Sequence, residues 1–167
     1  MRLPSLYQFE VDENITNFFI TKLNQYKIDI NYVISKNSSS TINGIQTKNI
    51  LKFADMQTLE VLNDLRFTFE KTFQINLEYF WVHMIEYEHQ GYQNLHDHSN
   101  NEDFSFILYL NSCDTGNTTF ILNQSRDIKV VVKPIKNTGV FFLSSLHHSA
   151  DITTDNKKVL VGGLRLL

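Results

Sequence analysis

The second half of the chain consists of short apolar segments separated by turn residues, and this pattern limits the fold more than any other feature of the sequence. The segments are rich in β-branched and aromatic residues, and turn-forming residues such as those at 114–117 and 137–139 separate them. Many short strands at regular spacing are typical of a β-sandwich or barrel. The predicted strands cover residues 77–87, 104–110, 118–122, 128–132, 140–143 and 159–164.

The first half of the chain has helical periodicity instead. Acidic and Asx residues at 12–14 precede apolar residues at helical spacing, which predicts an amphipathic helix over residues 13–26. The polar residues 36–46 predict a loop. A second helix begins near Asp55, and its apolar face, which we interpret as core packing, consists of Met56, Leu59, Leu62, Leu65, Phe69 and Phe73.

These patterns predict one α+β domain over residues 1–167. A helical buttress over about residues 1–76 covers a β-barrel core over about residues 77–167 in this prediction. The length suits a single domain with a sizeable core. An aromatic content of 13 % excludes a disordered chain.

Charge and cysteine content restrict the partners and the compartment. The net charge of -3 lacks the basic footprint of a nucleic-acid-binding protein, and no apolar stretch is long enough to span a bilayer. A single cysteine, Cys113, excludes an internal disulfide framework, and the N-terminal residues lack the apolar run of a signal peptide. We therefore expect a cytoplasmic protein that binds neither nucleic acid nor membranes.

The histidines are concentrated in the predicted β-region. All six lie between residues 83 and 148, and one residue separates His96 from His98. In extended backbone, residues i and i+2 point to the same side, so both imidazoles can reach one metal ion. A third ligand must come from a distant strand, and either His147 or His148 is available. Scattered surface histidines would explain a lone His-x-His pair, but the distal histidine at a strand end favours a metal site.

Five segments between residues 80 and 166 carry further motifs, namely 87–98 (YEHQGYQNLHDH), 107–111 (ILYLN), 116–120 (GNTTF), 132–142 (VKPIKNTGVFF) and 142–148 (FLSSLHH). The first four resemble, in order, the Tyr…Gly…His-x-Asp, Tyr-Leu-Asn, Gly-Gly-x-Thr-x-Phe and Pro-x-x-Gly-x-x-x-x-Phe motifs of the prolyl 4-hydroxylase-like Fe(II)/2-oxoglutarate dioxygenases. The last is similar to the Phe-Pro-Ser-x-x-x-His segment of the small bacterial and phage members. The chain keeps the family's motif order.

This resemblance implies a fold, cofactors and a set of site residues. The fold is a double-stranded β-helix (jelly roll, cupin-like) with N-terminal supporting helices. The cofactors are Fe(II) and 2-oxoglutarate, with ascorbate in a supporting role, and no catalytic side chain is implied beyond the metal centre. The implied metal ligands are His96, His98 and His148, and the implied 2-oxoglutarate-binding residues are Tyr87, Tyr109 and Lys158.

Two of these assignments depend on particular positions. Lys158 follows His148 by ten residues, the spacing at which hydroxylase-like relatives place the cation for the C5 carboxylate of 2-oxoglutarate. Lys157 and Arg165 are the alternatives for this cation. The purely structural interpretation is that Lys157 and Lys158 form a solvated pair in a turn. His98 stands where most relatives have an aspartate, so the implied site has one negative charge fewer.

The function that follows from the resemblance is a 2-oxoglutarate- and Fe(II)-dependent dioxygenase. It would hydroxylate an amino-acid side chain, free or peptidyl, or a small molecule, and release succinate and CO2. Its substrate specificity would lie in the polar loops 36–46, 97–103 and 123–127. A three-His cupin-like metal dioxygenase that does not use 2-oxoglutarate, and a non-catalytic metal-binding barrel, are the alternatives.

Overall fold

The computed structural model of the chain describes residues 5–35, 40–99, 101–123 and 125–167. Within these ranges, the two α-helices are α1 (Glu13–Tyr26) and α2 (Met56–Phe73), and a short 3-10 helix covers Ile50–Lys52. The strands in the same ranges are β1 (Leu6–Glu10), β2 (Thr41–Gln46), β3 (Leu77–His96), β4 (Phe104–Tyr109), β5 (Thr118–Ile121), β6 (Lys129–Val132), β7 (Thr138–Leu143), β8 (His147–Thr153) and β9 (Lys157–Leu166).

The strands pair antiparallel in the order β1-β7-β4-β9-β3-β8-β5-β6, and β2 pairs with β3. The long strand β3 holds this arrangement together. It pairs with β9 over Leu77 to Tyr87 and with β8 over Gly91 to His96, where the register shifts twice. These irregularities let β3 pass from one layer of strands to the other. The result is the predicted double-stranded β-helix.

Both helices begin where the sequence predicts, because an aspartate caps each of them. Asp12 accepts a hydrogen bond from the Asn14 backbone N–H, and Asp55 accepts one from the Thr58 backbone N–H, each at 2.8 Å. Helix α2 ends at Phe73, and its C-cap residue, Gln74, adopts the left-handed conformation that commonly terminates helices. Met56 and Leu59 of the predicted apolar face are exposed, whereas the remaining four residues are buried.

The central strands, such as β4 and β9, are buried on both faces. One face packs against the helices in a cluster that includes Phe19, Leu62, Phe69, Phe106, Phe141 and Leu160. The other face lines the interior of the barrel, through residues that include Ile85, Tyr109, Phe120, Phe142 and Val159. Because both faces are buried, strands such as β9 are continuous apolar runs without visible alternation.

The structure corrects several predicted boundaries. Residues 41–46 form β2, because their backbone pairs with β3 and polar side chains do not prevent strand pairing; residues 36–39 of the predicted loop lie outside the described residues. The first 76 residues are therefore not purely helical, since they also contribute β1. The strand predicted to end at Tyr87 continues to His96, and β8 is a strand that its polar sequence did not indicate.

No helix among the described residues is both long enough and apolar enough to cross a membrane.

Candidate metal centre

Three histidines meet where β3 ends beside β8. His96, the last residue of β3, is the cross-strand partner of His148 in β8, so their side chains lie next to each other on one face. His98 follows, and its backbone N–H donates to the Ser144 carbonyl at 2.9 Å, which holds it beside the start of β8. One ligand nitrogen from each ring lies within 4.8 Å of the other two. These are the three metal ligands named from the sequence, and the fold brings them together.

Hydrogen bonds orient two of these rings. Nδ1 of His96 lies 2.7 Å from the Asn94 carbonyl oxygen, and Nδ1 of His148 lies 3.0 Å from the Leu146 carbonyl oxygen. A carbonyl oxygen only accepts, so Nδ1 carries the hydrogen in both rings and Nε2 keeps its lone pair. This is the arrangement that fixes the tautomer and direction of metal-binding histidines.

Burial keeps two of these imidazoles neutral. Together with the neighbouring His96, it lowers the pKa of His98 to about 4 and that of His148 to about 3. Neutral imidazole is the form that binds metal, and nitrogen donors suit iron among other transition metals. The residues present therefore fit a divalent metal ion, and three ligands on one side leave further coordination positions for a chelating ligand.

The histidines border a cavity of about 240 Å³. Its walls come from alternate residues of neighbouring strands, because every second residue of a strand faces the same side. Strand β3 contributes Trp81, His83, Ile85 and Tyr87, and β9 contributes Lys157, Val159 and Val161. The same cavity therefore holds the three imidazoles and one primary amine.

The amine belongs to Lys157, which is 2 % exposed. Its Nζ donates to the Gly116 carbonyl at 2.6 Å and lies 5.2 Å and 5.7 Å from the ring centroids of Tyr87 and Tyr109. Burial lowers the pKa of Lys157 to about 8. A desolvated cation with one neutral acceptor is arranged to receive an anion.

The structure corrects the placement of Lys158. This residue pairs with Glu86 in the β3–β9 register, whereas Lys157 pairs with Tyr87, so the two lysines face opposite sides of the sheet. Lys158 does not line the cavity, and Lys157, the alternative one residue earlier, does. Arg165, the other alternative, stacks on Phe80 with 3.6 Å between its guanidinium carbon and the ring centroid, away from the cavity.

The two tyrosines lie beside this amine. The Tyr109 hydroxyl donates to the Thr118 hydroxyl at 2.7 Å, and the Tyr87 hydroxyl donates to Gln93 Oε1 at 3.3 Å. Burial raises the pKa of both phenols, so they remain neutral hydrogen-bonding groups. Tyr87 lines the cavity directly, and Thr118 also does so.

The remaining histidines near the site do not join the cluster. His147 points away from it, and its Nε2 lies 3.4 Å from a carboxylate oxygen of Asp97. His83 lines the cavity, and its Nδ1 is 2.8 Å from the Thr47 carbonyl oxygen. Two of the predicted specificity loops contribute to the cavity wall: residues 36–46 through Ser40 and Gln46, and residues 97–103 through His98.

Sequence reasoning missed Glu102. Its side chain is fully buried behind His98, with Oε1 3.6 Å from His98 Nδ1, and burial raises its pKa to about 7. Glu102 lies in a polar segment that carries no motif, so no signal in the sequence identified it.

A jelly-roll barrel in which three imidazoles from the described residues open on an internal cavity has an arrangement that could hold one metal ion. Residues 82–163 match the family model of the 2OG-Fe(II) oxygenase superfamily. No curated protein matches the chain.

Solved structures with the same fold cover nearly the whole chain. A Pseudomonas putida prolyl-4-hydroxylase has a TM-score of 0.75 at 17% identity, covering 96% of this chain and 92% of its own. The viral collagen prolyl hydroxylase of Paramecium Bursaria Chlorella virus-1, solved as a 2OG complex, has a TM-score of 0.69 at 14% identity, covering 98% and 97%. The epimerase SnoN of nogalamycin biosynthesis has a TM-score of 0.76 at 11% identity, covering 96% and 76%.

The family assignment made from the motifs is therefore confirmed over residues 82–163, where the chain matches the 2OG-Fe(II) oxygenase superfamily. Enzymes of this superfamily are oxidoreductases that use Fe(II) and 2-oxoglutarate.

Proposed function

We propose that this protein is a 2-oxoglutarate- and Fe(II)-dependent dioxygenase that hydroxylates an amino-acid side chain, free or peptidyl, or a small molecule, with release of succinate and CO2. One observation carries the proposal. The three-histidine cluster and the Lys157 ammonium open on the same cavity, so a dicarboxylate could contact the metal at one end and the amine at the other.

Each site residue then has a task. His96, His98 and His148 hold the iron through Nε2, and Lys157 pairs with the C5 carboxylate of 2-oxoglutarate in place of Lys158. The Thr118 hydroxyl, held by Tyr109, offers that carboxylate a further donor. Fe(II), 2-oxoglutarate and O2 would together supply the oxidising chemistry when bound, with one oxygen atom of O2 going to the substrate and the other to succinate.

The apolar part of the cavity wall excludes water. Ile85, Ile107, Phe142 and Val159 line it between the histidines and Lys157. Charge pairs are stronger in such a low-dielectric environment, and bound ligands keep a single orientation there. The protein therefore binds and orients the reactants and excludes water from the cavity, and no side-chain acid or base is needed.

We place this activity in the cytoplasm and in a single domain over residues 1–167. The single cysteine, Cys113, is free and supports a reducing compartment. The acidic net charge of -3 supports a substrate other than nucleic acid.

The test is anaerobic addition of Fe(II) and 2-oxoglutarate to the protein, followed by visible absorption. We expect a weak charge-transfer band from the chelated keto acid in the wild type and in His147→Ala, and no band in His148→Ala. His147 is the matched control because it is the adjacent residue on the opposite face of β8.

Three results would contradict the proposal. Iron binding without a 2-oxoglutarate band would favour a three-His cupin-like dioxygenase, which the His-x-His pair also fits. Metal binding with no turnover of 2-oxoglutarate and no other dioxygenase activity would favour a non-catalytic barrel. A band retained in His148→Ala and lost in His147→Ala would move the distal ligand by one residue.

A further inference from the structure

The buried carboxylate of Glu102 has a defined place beside the metal centre. Its side chain has no solvent exposure. Oε1 accepts a hydrogen bond from Trp81 Nε1 at 3.0 Å and lies 3.6 Å from His98 Nδ1. Oε2 is also buried and has no hydrogen-bond partner among the described residues. Polar groups are rarely buried in this way without a structural or functional reason.

The position of Glu102 completes a pattern shared by the three histidines. Nδ1 of His96 and of His148 each face a backbone carbonyl oxygen, and Nδ1 of His98 faces Glu102. In all three rings, an acceptor behind Nδ1 leaves Nε2 for the metal. His98 differs because its acceptor is a carboxylate. A separation of 3.6 Å is just outside hydrogen-bond distance, so His98 Nδ1 and Glu102 Oε1 are close neighbours.

The local packing leaves room for this carboxylate. A Cβ atom added to Gly163 would lie 2.5 Å from Trp81 Nε1 and 2.8 Å from Oε1 of Glu102. Both side chains therefore lie directly against the backbone of β9, where only glycine fits. Trp81 holds the carboxylate from the cavity side, and Gly163 permits its approach.

We propose that Glu102 is a positioning residue that accepts the Nδ1–H of His98 and so directs His98 Nε2 to the metal. Through this hydrogen bond, Glu102 supplies next to the ligand the negative charge that a carboxylate ligand would supply directly. The inference rests on the proposed metal site. His98 occupies the position where most relatives have an aspartate, and Glu102 returns a carboxylate to that side of the site. Carboxylate–histidine–metal arrangements of this kind strengthen metal binding.

The experiment measures metal affinity without turnover. Trp81 is the single tryptophan, and its ring centroid lies 5.3 Å from that of His98, so Co(II) at the site quenches its fluorescence. We expect Glu102→Gln, which keeps the shape and removes the charge, to bind Co(II) about 10- to 100-fold more weakly than the wild type. The titration is made at about pH 8 and without 2-oxoglutarate.

The matched control is Glu86→Gln. Glu86 is another buried carboxylate, paired with Lys27 at 2.9 Å and not in contact with the histidines. We expect this variant to lose thermal stability while its Co(II) affinity stays within about twofold of the wild type. A merely structural role for Glu102 predicts that both variants behave alike.

Two outcomes separate the inference from the proposed function. No quenching in the wild type would overturn the metal site itself. Quenching in the wild type with equal affinity in Glu102→Gln would overturn only the role of Glu102. If Glu102→Gln does not fold, Glu102→Met decides, because it removes the charge from a side chain of similar length; an unchanged Co(II) affinity there overturns the inference.

Discussion

Replacement of Lys157 by methionine tests the cosubstrate end of the cavity. Methionine keeps an unbranched chain of similar length but removes the charge. In the described part of the chain, no carboxylate pairs with the Lys157 ammonium, and its hydrogen-bond acceptor is the neutral Gly116 carbonyl. The variant therefore removes the one cation of the cavity wall without leaving an unpaired anion in the free protein.

The structure sets the size of the effect. Removing one partner of a buried ion pair costs about 3–5 kcal/mol, which is about 10²- to 10⁴-fold in the dissociation constant of 2-oxoglutarate. Burial lowers the pKa of Lys157 to about 8. The charged amine therefore lowers the stability of the folded protein by about 3 kcal/mol when no anion is bound. We therefore expect Lys157→Met to be at least as stable as the wild type while binding 2-oxoglutarate far more weakly.

The assay is a titration of the anaerobic Fe(II) protein with 2-oxoglutarate, read by the visible band. Lys158→Met is the matched control, because Lys158 is the next residue and faces away from the cavity. We expect it to bind 2-oxoglutarate as the wild type does. Equal dissociation constants for wild type and Lys157→Met, with Fe(II) bound in both, would refute the reasoning, and a loss confined to Lys158→Met would restore the assignment made from spacing.

Two further predictions concern pH and packing. Because Lys157 must be protonated to pair with a carboxylate and its pKa is about 8, 2-oxoglutarate affinity should fall above about pH 8, by up to about tenfold per pH unit. A titration series that stays flat to about pH 9.5 would contradict this. Phe69 packs against Phe9, Phe106 and Phe141, so Phe69→Ala should lower the free energy of unfolding by about 3–5 kcal/mol in denaturant. Phe67→Ala, on the exposed face of the same helix, should cost less than about 1 kcal/mol.

The sequence indicated two ligands of the candidate metal centre through local geometry, whereas the third, His148, followed from the family resemblance and not from spacing. His96 and His98 lie two residues apart, and this spacing places both rings on one side wherever the backbone is extended. The helix starts at Asp12 and Asp55 could also be predicted from the sequence, because a side chain that caps a helix accepts hydrogen bonds from backbone groups two or three residues away.

Only the tertiary structure decided which lysine faces the cavity. Strand β9 is buried on both faces, by the helices on one side and the barrel interior on the other, so its sequence shows no alternation from which to read the direction of each side chain. The pairing of Lys157 with Tyr87 settles it. Glu102 was hidden for a related reason. His98 is only four residues away in the chain, but Trp81 and Gly163, which hold the carboxylate, come from distant strands that only folding brings beside it.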